Sequence, residues 1–250
     1  MSDNTDQFDE NDYLLNNNSK IGILLIHGFS STNYELRDLA HFLADAGFRV
    51  MAKNLPGHGT TIQDCNNHKY TEWLSFTKSN IGELVAECDK VFCIGISMGA
   101  VIALYIAATM PIAGVIAAAS VFKFRNEFMT KYINTIFCPI IHSIDKKSQF
   151  PKGARKGKYY GYTRYPTIAL NQMRILINFV EPKLEKISIP TLLINSTSDN
   201  TCQMKNLDFL KKKIDIKYVK TLIINKASHA IFDKSDDRDT IFNQCVKFIR

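Results

Sequence analysis

The 250-residue sequence contains no CxxC pair and no HExxH run. Its six cysteines, Cys65, Cys88, Cys93, Cys138, Cys202 and Cys245, lack the spacing that would grip zinc or form a regular disulfide framework. Several of them sit in apolar segments, where a free thiol behaves as a small hydrophobe. No metal and no organic cofactor is expected, and the thiols are expected to be reduced, as in the cytoplasm. The opening residues, MSDNTDQFDENDYLLNNNSK, have neither the basic nor the apolar region of a secretory leader. An unbroken apolar run of membrane-spanning length is also missing. VIALYIAATMPIAGVIAAASVF at 101–122 is divided by Pro111 and Gly114, and reads as helix, turn and buried strand. A soluble, cytoplasmic protein without internal repeats is therefore expected.

What is present is an ordinary globular composition, 46% hydrophobic and 22% charged, long enough to bury a large core in one α/β domain. Acidic residues are scarce beyond the start. Asp3, Asp6, Asp9, Glu10 and Asp12 precede Lys20, so only 19 of the 24 acids remain to face 31 Lys and Arg. Residues 1–19 are expected to form an acidic, flexible tail, and 20–250 the folded domain. Between 121 and 165 the cations Lys123, Arg125, Lys131, Lys146, Lys147, Lys152, Arg155, Lys156, Lys158 and Arg164 stand against Glu127 and Asp145 alone. Such a patch could attract nucleic acid or anionic lipid. No nucleic-acid motif accompanies it, so no nucleic-acid partner is expected, and a solvated surface is the simpler reading beside weak contact with an anionic membrane. Nothing in the sequence speaks to oligomeric state.

Short apolar runs alternate with helical patterns. IGILLI (21–26), FRVMAK (48–53), KVFCIG (90–95), IAGVIAAA (112–119), IPTLLINS (189–196) and IKYVKTLIIN (216–225) read as strands. YELRDLAHFLADAG (34–47), YTEWLSFTKSNIGELVAEC (70–88), MGAVIALYIAATM (98–110), a segment near 203–213 and a last one ending near Phe248 read as helices. Parallel strands need crossovers long enough for a helix, so the alternation predicts a mostly parallel sheet covered on both faces. Reactive groups in such sheets gather at the carboxyl ends of the strands.

Four loops at that edge carry polar residues: HGFS (27–30), GISMG (95–99), STSDN (196–200) and KASHA (226–230). A serine between two glycines at a strand-to-helix corner has little packing purpose and is held exposed. Its hydroxyl needs a base to take its proton, and the base needs a carboxylate to fix its tautomer. Ser97, His229 and Asp199 supply these roles as nucleophile, base and acid. Asp199 could instead cap the following helix, and Asp233 is a rival carboxylate only four residues beyond His229. Asp199 is favoured because it ends a strand and can reach the far side of the imidazole. His58 in its PGHG turn is expected to stabilise that loop, and His41, His68 and His142 lie away from the strand ends.

LLIHGF, AGFRV, LPGHGT, TEW, GISMG, MPIAGVI, IPTLLINSTSD and SHAIFDK, spread over 21–250, together resemble the α/β-hydrolase family, and within it the small bacterial carboxylesterases and monoacylglycerol lipases. The order Ser, Asp, His is that family's order. The resemblance implies an α/β-hydrolase fold of about six or seven strands with a helical cap inserted at about 121–185. It implies an acyl ester as substrate, with His27 bracing its loop while the backbone N–H groups of Phe29 and Met98 form the oxyanion hole. Phe29 and the cap are the expected substrate contacts, and the cap's bulky residues suit either an acyl tunnel or completion of the core. Two other functions fit the same features: lipid or lysophospholipid hydrolysis with the basic cap docked on a membrane, and ligand binding without turnover. Intact Ser97, Asp199 and His229 argue against the latter. Ser196 and Ser228 depart from the resemblance, standing where glycine is common, and Ala100 does likewise after GISMG.

Overall fold

The computed structural model describes residues 12–146, 161–233 and 237–250. Seven strands form the main sheet: β1 (Tyr13–Leu15), β2 (Ile21–Ile26), β3 (Arg49–Ala52), β4 (Lys90–Ile96), β5 (Gly114–Ala118), β8 (Thr191–Ser196) and β9 (Val219–Ile224). Their spatial order is β1-β3-β2-β4-β5-β8-β9, and every neighbouring pair is parallel except β1 with β3. Every residue of β5, and all of β4 except Lys90, is buried. That is the burial expected of central strands covered on both faces, and it explains their unbroken apolar runs. The outermost strand β9 buries only Ile224 fully and shows Lys220 to solvent.

Helices α1 (Arg37–Asp45), α2 (Ile62–Asn67), α3 (Tyr70–Glu87) and α4 (Met98–Thr109) connect the first strands. After the cap, α7 (Lys205–Lys213) and α8 (Arg238–Ile249) complete the layers. In α4 the residues from Met98 to Ala107 are all buried, so this helix is apolar all round because it is enclosed all round. Helix α1 is amphipathic and starts three residues later than its apolar spacing suggests, since Asn33–Leu36 form a 3₁₀ turn ahead of it.

Between β5 and β8 lies the inserted segment. It contains a π-helical turn at Met129–Ile133, α5 (Asn134–Phe137), β6 (Ser143–Asp145), β7 (Arg164–Pro166), α6 (Thr167–Val180) and a 3₁₀ turn at Glu181–Lys186. The insertion is not purely helical as expected: β6 and β7 form a separate antiparallel pair, joined across its edge by Arg164 and Asp145. Helix α6 packs on α3 and α4 and buries Met173, Leu176, Ile177 and Val180, so this part of the insertion completes the core.

Two further differences from the sequence reading have local causes. Tyr13–Leu15 lies inside the stretch read as a flexible tail, yet it pairs with Val50–Ala52 and buries Tyr13, because three apolar residues suffice to add an edge strand. Helix α2 occupies residues between LPGHGT and the 70–88 helix for which the sequence pattern gives no element. Its start is capped by Thr61, whose side chain accepts the Asp64 N–H at 3.1 Å. Among the described residues, no helix is long and apolar enough to cross a membrane. All six cysteines are buried and unpaired. The tail residues 1–11 and the cations Lys147, Lys152, Arg155, Lys156 and Lys158 lie outside the described residues.

Candidate active site

Ser97 stands alone between the end of β4 and the first residue of α4, at φ 56° and ψ −115°. A positive φ is costly for a side-chain-bearing residue and persists where the surroundings dictate it. Those surroundings are glycine backbones in close approach. A Cβ added at Gly95 would fall 2.2 Å from the Gly99 carbonyl oxygen, and one at Gly99 would fall 2.2 Å from that of Ile26. Only glycine at both places lets the first turn of α4 press against β4 and β2. The Ser97 N–H is anchored to the Ala118 carbonyl at 2.9 Å, tying the corner to the end of β5.

His229 and Asp199, thirty residues apart, meet at the same edge of the sheet. The imidazole Nδ1–H donates to Asp199 Oδ2 at 2.8 Å. The other oxygen, Oδ1, accepts the backbone N–H groups of Thr201 at 2.7 Å and Cys202 at 2.9 Å. Burial alone would raise the Asp199 pKa, but His229 and these two amides outweigh it and hold the carboxylate below its ordinary range. Asp199 therefore fastens its own loop as well as the imidazole, but it does not cap the following helix: α7 starts at Lys205, with Met204 at its N-cap and no side-chain bond there. Asp233, the rival, lines the same cavity. For His229, burial works to lower the pKa, but Cys202 and Asp199 overcome it and leave the imidazole well above its usual value.

His27 is fully buried and neutral. Its Nε2 accepts the Leu55 N–H at 3.0 Å, so Nδ1 carries the proton and donates to the Gly28 carbonyl at 2.8 Å. Burial drives its pKa down to about 4. It braces two loops, as expected. His58 packs against His27 and Trp73, whose indole N–H donates to Pro56, so this histidine also serves the loop. The Phe29 ring lines the cavity and lies parallel to Tyr165 of the cap, with centroids 6.4 Å apart. The Met98 side chain is wholly buried in the core, which leaves its N–H, at the first position of α4, as the part of that residue with chemical use at the corner.

Ser97 and His229 open into one cavity of about 610 Å³, roofed by the insertion. Val121, Phe124, Leu170, Met173, Ile144 and Tyr165 give it apolar walls, and Ser30, Ser31, Glu35, Asn200 and Lys146 give it a polar side. Three residues here were not singled out from the sequence. Lys146 belongs to the basic stretch read as solvated surface, yet it is only 5% exposed. Glu35 sat within an ordinary helical pattern. Cys202 is buried beside the acid, and its side-chain heteroatom, with those of Asp199 and His229, falls in a group spanning 4.8 Å or less. Such a group has metal-ligand chemistry, although its histidine and aspartate are already joined to each other. No spacing rule in the sequence marks any of the three, because the cap or a neighbouring loop brings each one in.

Residues 17–236 match the family described as serine aminopeptidase, S33. The chain is 27% identical over 241 residues to a thermostable monoacylglycerol lipase of Bacillus sp. (strain H-257), covering 92% of this chain and 91% of that protein. It is 20% identical to a carboxylesterase of Bacillus subtilis (strain 168) over 235 residues, 91% of each. Among solved structures, that of the metagenome-derived lipolytic enzymes LipS and LipT aligns with a TM-score of 0.82 at 22% identity, over 96% of this chain and 97% of that one.

Proposed function

Because the chain belongs to the serine aminopeptidase S33 family of α/β-hydrolases, we propose that it is a serine hydrolase of carboxylic esters, acting on short to medium acyl or monoacylglycerol-type substrates through an acyl-enzyme. The observation that carries this reading is the Asp199–His229 hydrogen bond at the rim of the cavity into which the strained Ser97 corner opens. His229 takes the Ser97 proton as the hydroxyl attacks the ester carbonyl, and Asp199 stabilises the imidazolium. The negative oxygen that forms is received by the Phe29 and Met98 N–H groups, the second reinforced by the dipole of α4. Collapse releases the alcohol with a proton from His229, and water repeats the sequence on the acyl-enzyme. The apolar cavity walls from Val121, Phe124, Leu170 and Met173 suit the acyl chain.

A p-nitrophenyl ester series and a fluorophosphonate probe test this together. Ester turnover and covalent labelling are expected in the wild type, and both are expected to vanish in Ser97→Ala. Labelling that persists in the variant would remove the basis of the reading. A preference for acetyl over octanoyl esters would count against the acyl tunnel.

One observation adds a lipid surface as partner. Among the described residues, eight of the twelve exposed large apolar side chains, Phe128, Met129, Tyr132, Ile136, Phe137, Ile140, Ile141 and Ile144, are concentrated in the cap. Ile144 belongs both to this patch and to the cavity wall, so the apolar surface runs up to the site. Arg125, exposed in the same part of the chain, supplies positive charge that anionic headgroups attract, while Lys123 and Lys131 beside it are paired with Glu181 and Glu127.

A further inference from the structure

The loop that carries Phe29 is gripped from two directions by side chains of opposite charge that the scheme above leaves idle. From the core, Glu35 sits in the 3₁₀ turn Asn33–Leu36, and its Oε1 accepts the Gly28 N–H at 3.3 Å. The same carboxyl is hydrogen-bonded by Ser31. From the cap, Lys146 follows β6 directly and donates from Nζ to Ser30 Oγ at 2.6 Å. The Tyr162 N–H donates to the Ser30 carbonyl at 2.9 Å. Ser30 itself is held at φ 58°, a conformation that a serine keeps only when its neighbours impose it. Phe29 lies between the two grips.

Lys146 is not where a lysine rests for its own sake. An ammonium almost wholly removed from water costs free energy unless it is paired and hydrogen-bonded. Here the compensation comes from Ser30 Oγ, from the Tyr165 ring face with its centroid 4.7 Å from Nζ, and from the opposite charge of Glu35. Burial nevertheless pulls the lysine down to about 7 and pushes the glutamate up, so each group gives up some of its preference for charge to stay in place. Glu35 also lies close to the nucleophile: a Cβ added at Gly28 would stand 3.3 Å from Glu35 Oε1 and 3.4 Å from Ser97 Cβ.

We propose that Lys146 is a positioning residue which, through Ser30 and opposite Glu35, locks residues 28–31 so that the Phe29 N–H is aimed at the developing oxyanion. The inference rests on the esterase reading above and adds to it that the seating of the cap is wired to the donor geometry. A cap that lifts takes Lys146 with it and slackens the loop. Misplacement of a catalytic group by about 1 Å can cost on the order of a hundred-fold in rate, so a modest loosening is visible in kcat.

The test compares Lys146→Met, which removes donor and charge but keeps a long stem, with Lys146→Arg, Ser30→Ala and the Ser30→Ala/Lys146→Met double variant, on p-nitrophenyl butyrate. Lys146→Met is expected to lower kcat about ten- to a hundred-fold with KM changed by less than about two-fold. Lys146→Arg should recover most of the loss. The double variant should be no slower than the worse single, because both act on one contact. Unchanged kcat in Lys146→Met overturns the proposal, as does a raised KM at constant kcat, which would make the lysine a substrate contact. Equal losses in the Met and Arg variants, with lowered melting temperature in both, would reduce it to packing. A wild type that is inert and unlabelled by fluorophosphonate sinks the esterase reading and this inference together. An active, labelled wild type with a normal Lys146→Met variant sinks only the inference.

Discussion

The Ser196 hydroxyl donates to the Ala227 carbonyl at 2.5 Å, and so ties the loop that presents Asp199 to the loop that presents His229. Its oxygen also accepts the Ser198 N–H at 3.2 Å. Two neighbours repeat the stitch, with Thr197 Oγ1 and Ser198 Oγ both donating to the Asn225 carbonyl, at 3.0 and 2.8 Å. A serine where glycine is common is therefore used here to hold two loops in register.

Ser196→Ala should leave the buried Ala227 carbonyl without this partner and release the Ser198 N–H. A loss of about 1 to 2 kcal/mol of stability is expected, or roughly 2 to 8 °C in melting temperature for a chain of this size. A several-fold drop in kcat should accompany it as the Asp199–His229 pair loosens. Thermal melts and ester kinetics on the same preparation check both, and a variant indistinguishable from wild type would show the bridge to be dispensable.

Asp199→Asn should cost roughly four orders of magnitude in kcat, because the amide can no longer impose the tautomer in which Nδ1–H donates. Asp233→Asn should cost far less, even though Asp233 lines the same cavity. Equal losses in the two variants would show that the carboxylates share the role.

The two imidazoles shifted in opposite directions separate activity from stability in their pH dependence. His229, held well above its ordinary pKa by Cys202 and Asp199 against the effect of burial, must be neutral to accept the Ser97 proton. The acid limb of kcat/KM should therefore lie above pH 6.5. His27 is held down to about 4 by burial. Below pH 6.5 the unfolded chain binds a proton that the folded one refuses, so stability falls as pH drops from 6.5 towards 4, by on the order of 3 kcal/mol. Buried His58 acts in the same direction. Melting temperatures across this range should decline more shallowly in His27→Gln, which stays neutral throughout. Parallel curves for the two proteins would refute the assignment.

The cap's apolar patch predicts co-flotation with liposomes containing anionic lipid, weakened by salt where Arg125 contributes. Ile136→Asp and Ile140→Asp, at positions 65% and 78% exposed, should abolish flotation without changing turnover of a water-soluble ester. Flotation retained in both variants would place the contact elsewhere or show it to be electrostatic only.

What the residues alone determined is what local chemistry can encode. Gly95, Ser97 and Gly99 announce a strand-to-helix corner because no other side chains allow that backbone approach. The unbroken apolar runs of β4 and β5 announce strands buried on both faces. Asp199 and His229 could be paired from the sequence because each lies in the loop that follows a strand of the apolar alternation, and parallel strands deliver their carboxyl ends to one edge. What required the tertiary structure was every choice made by a distant partner. Tyr13–Leu15 becomes a strand only through β3, against the acidic character of its surroundings. Lys146 becomes a buried member of the cavity only because the cap lays it on Ser30, 116 residues earlier in the chain. Within a basic stretch its charge is indistinguishable from that of a solvated lysine. Burial and hydrogen bonding belong to the packed fold and not to the residue, so pattern along the chain could bring Ser97, Asp199 and His229 to one edge but not show which side chains pack around them.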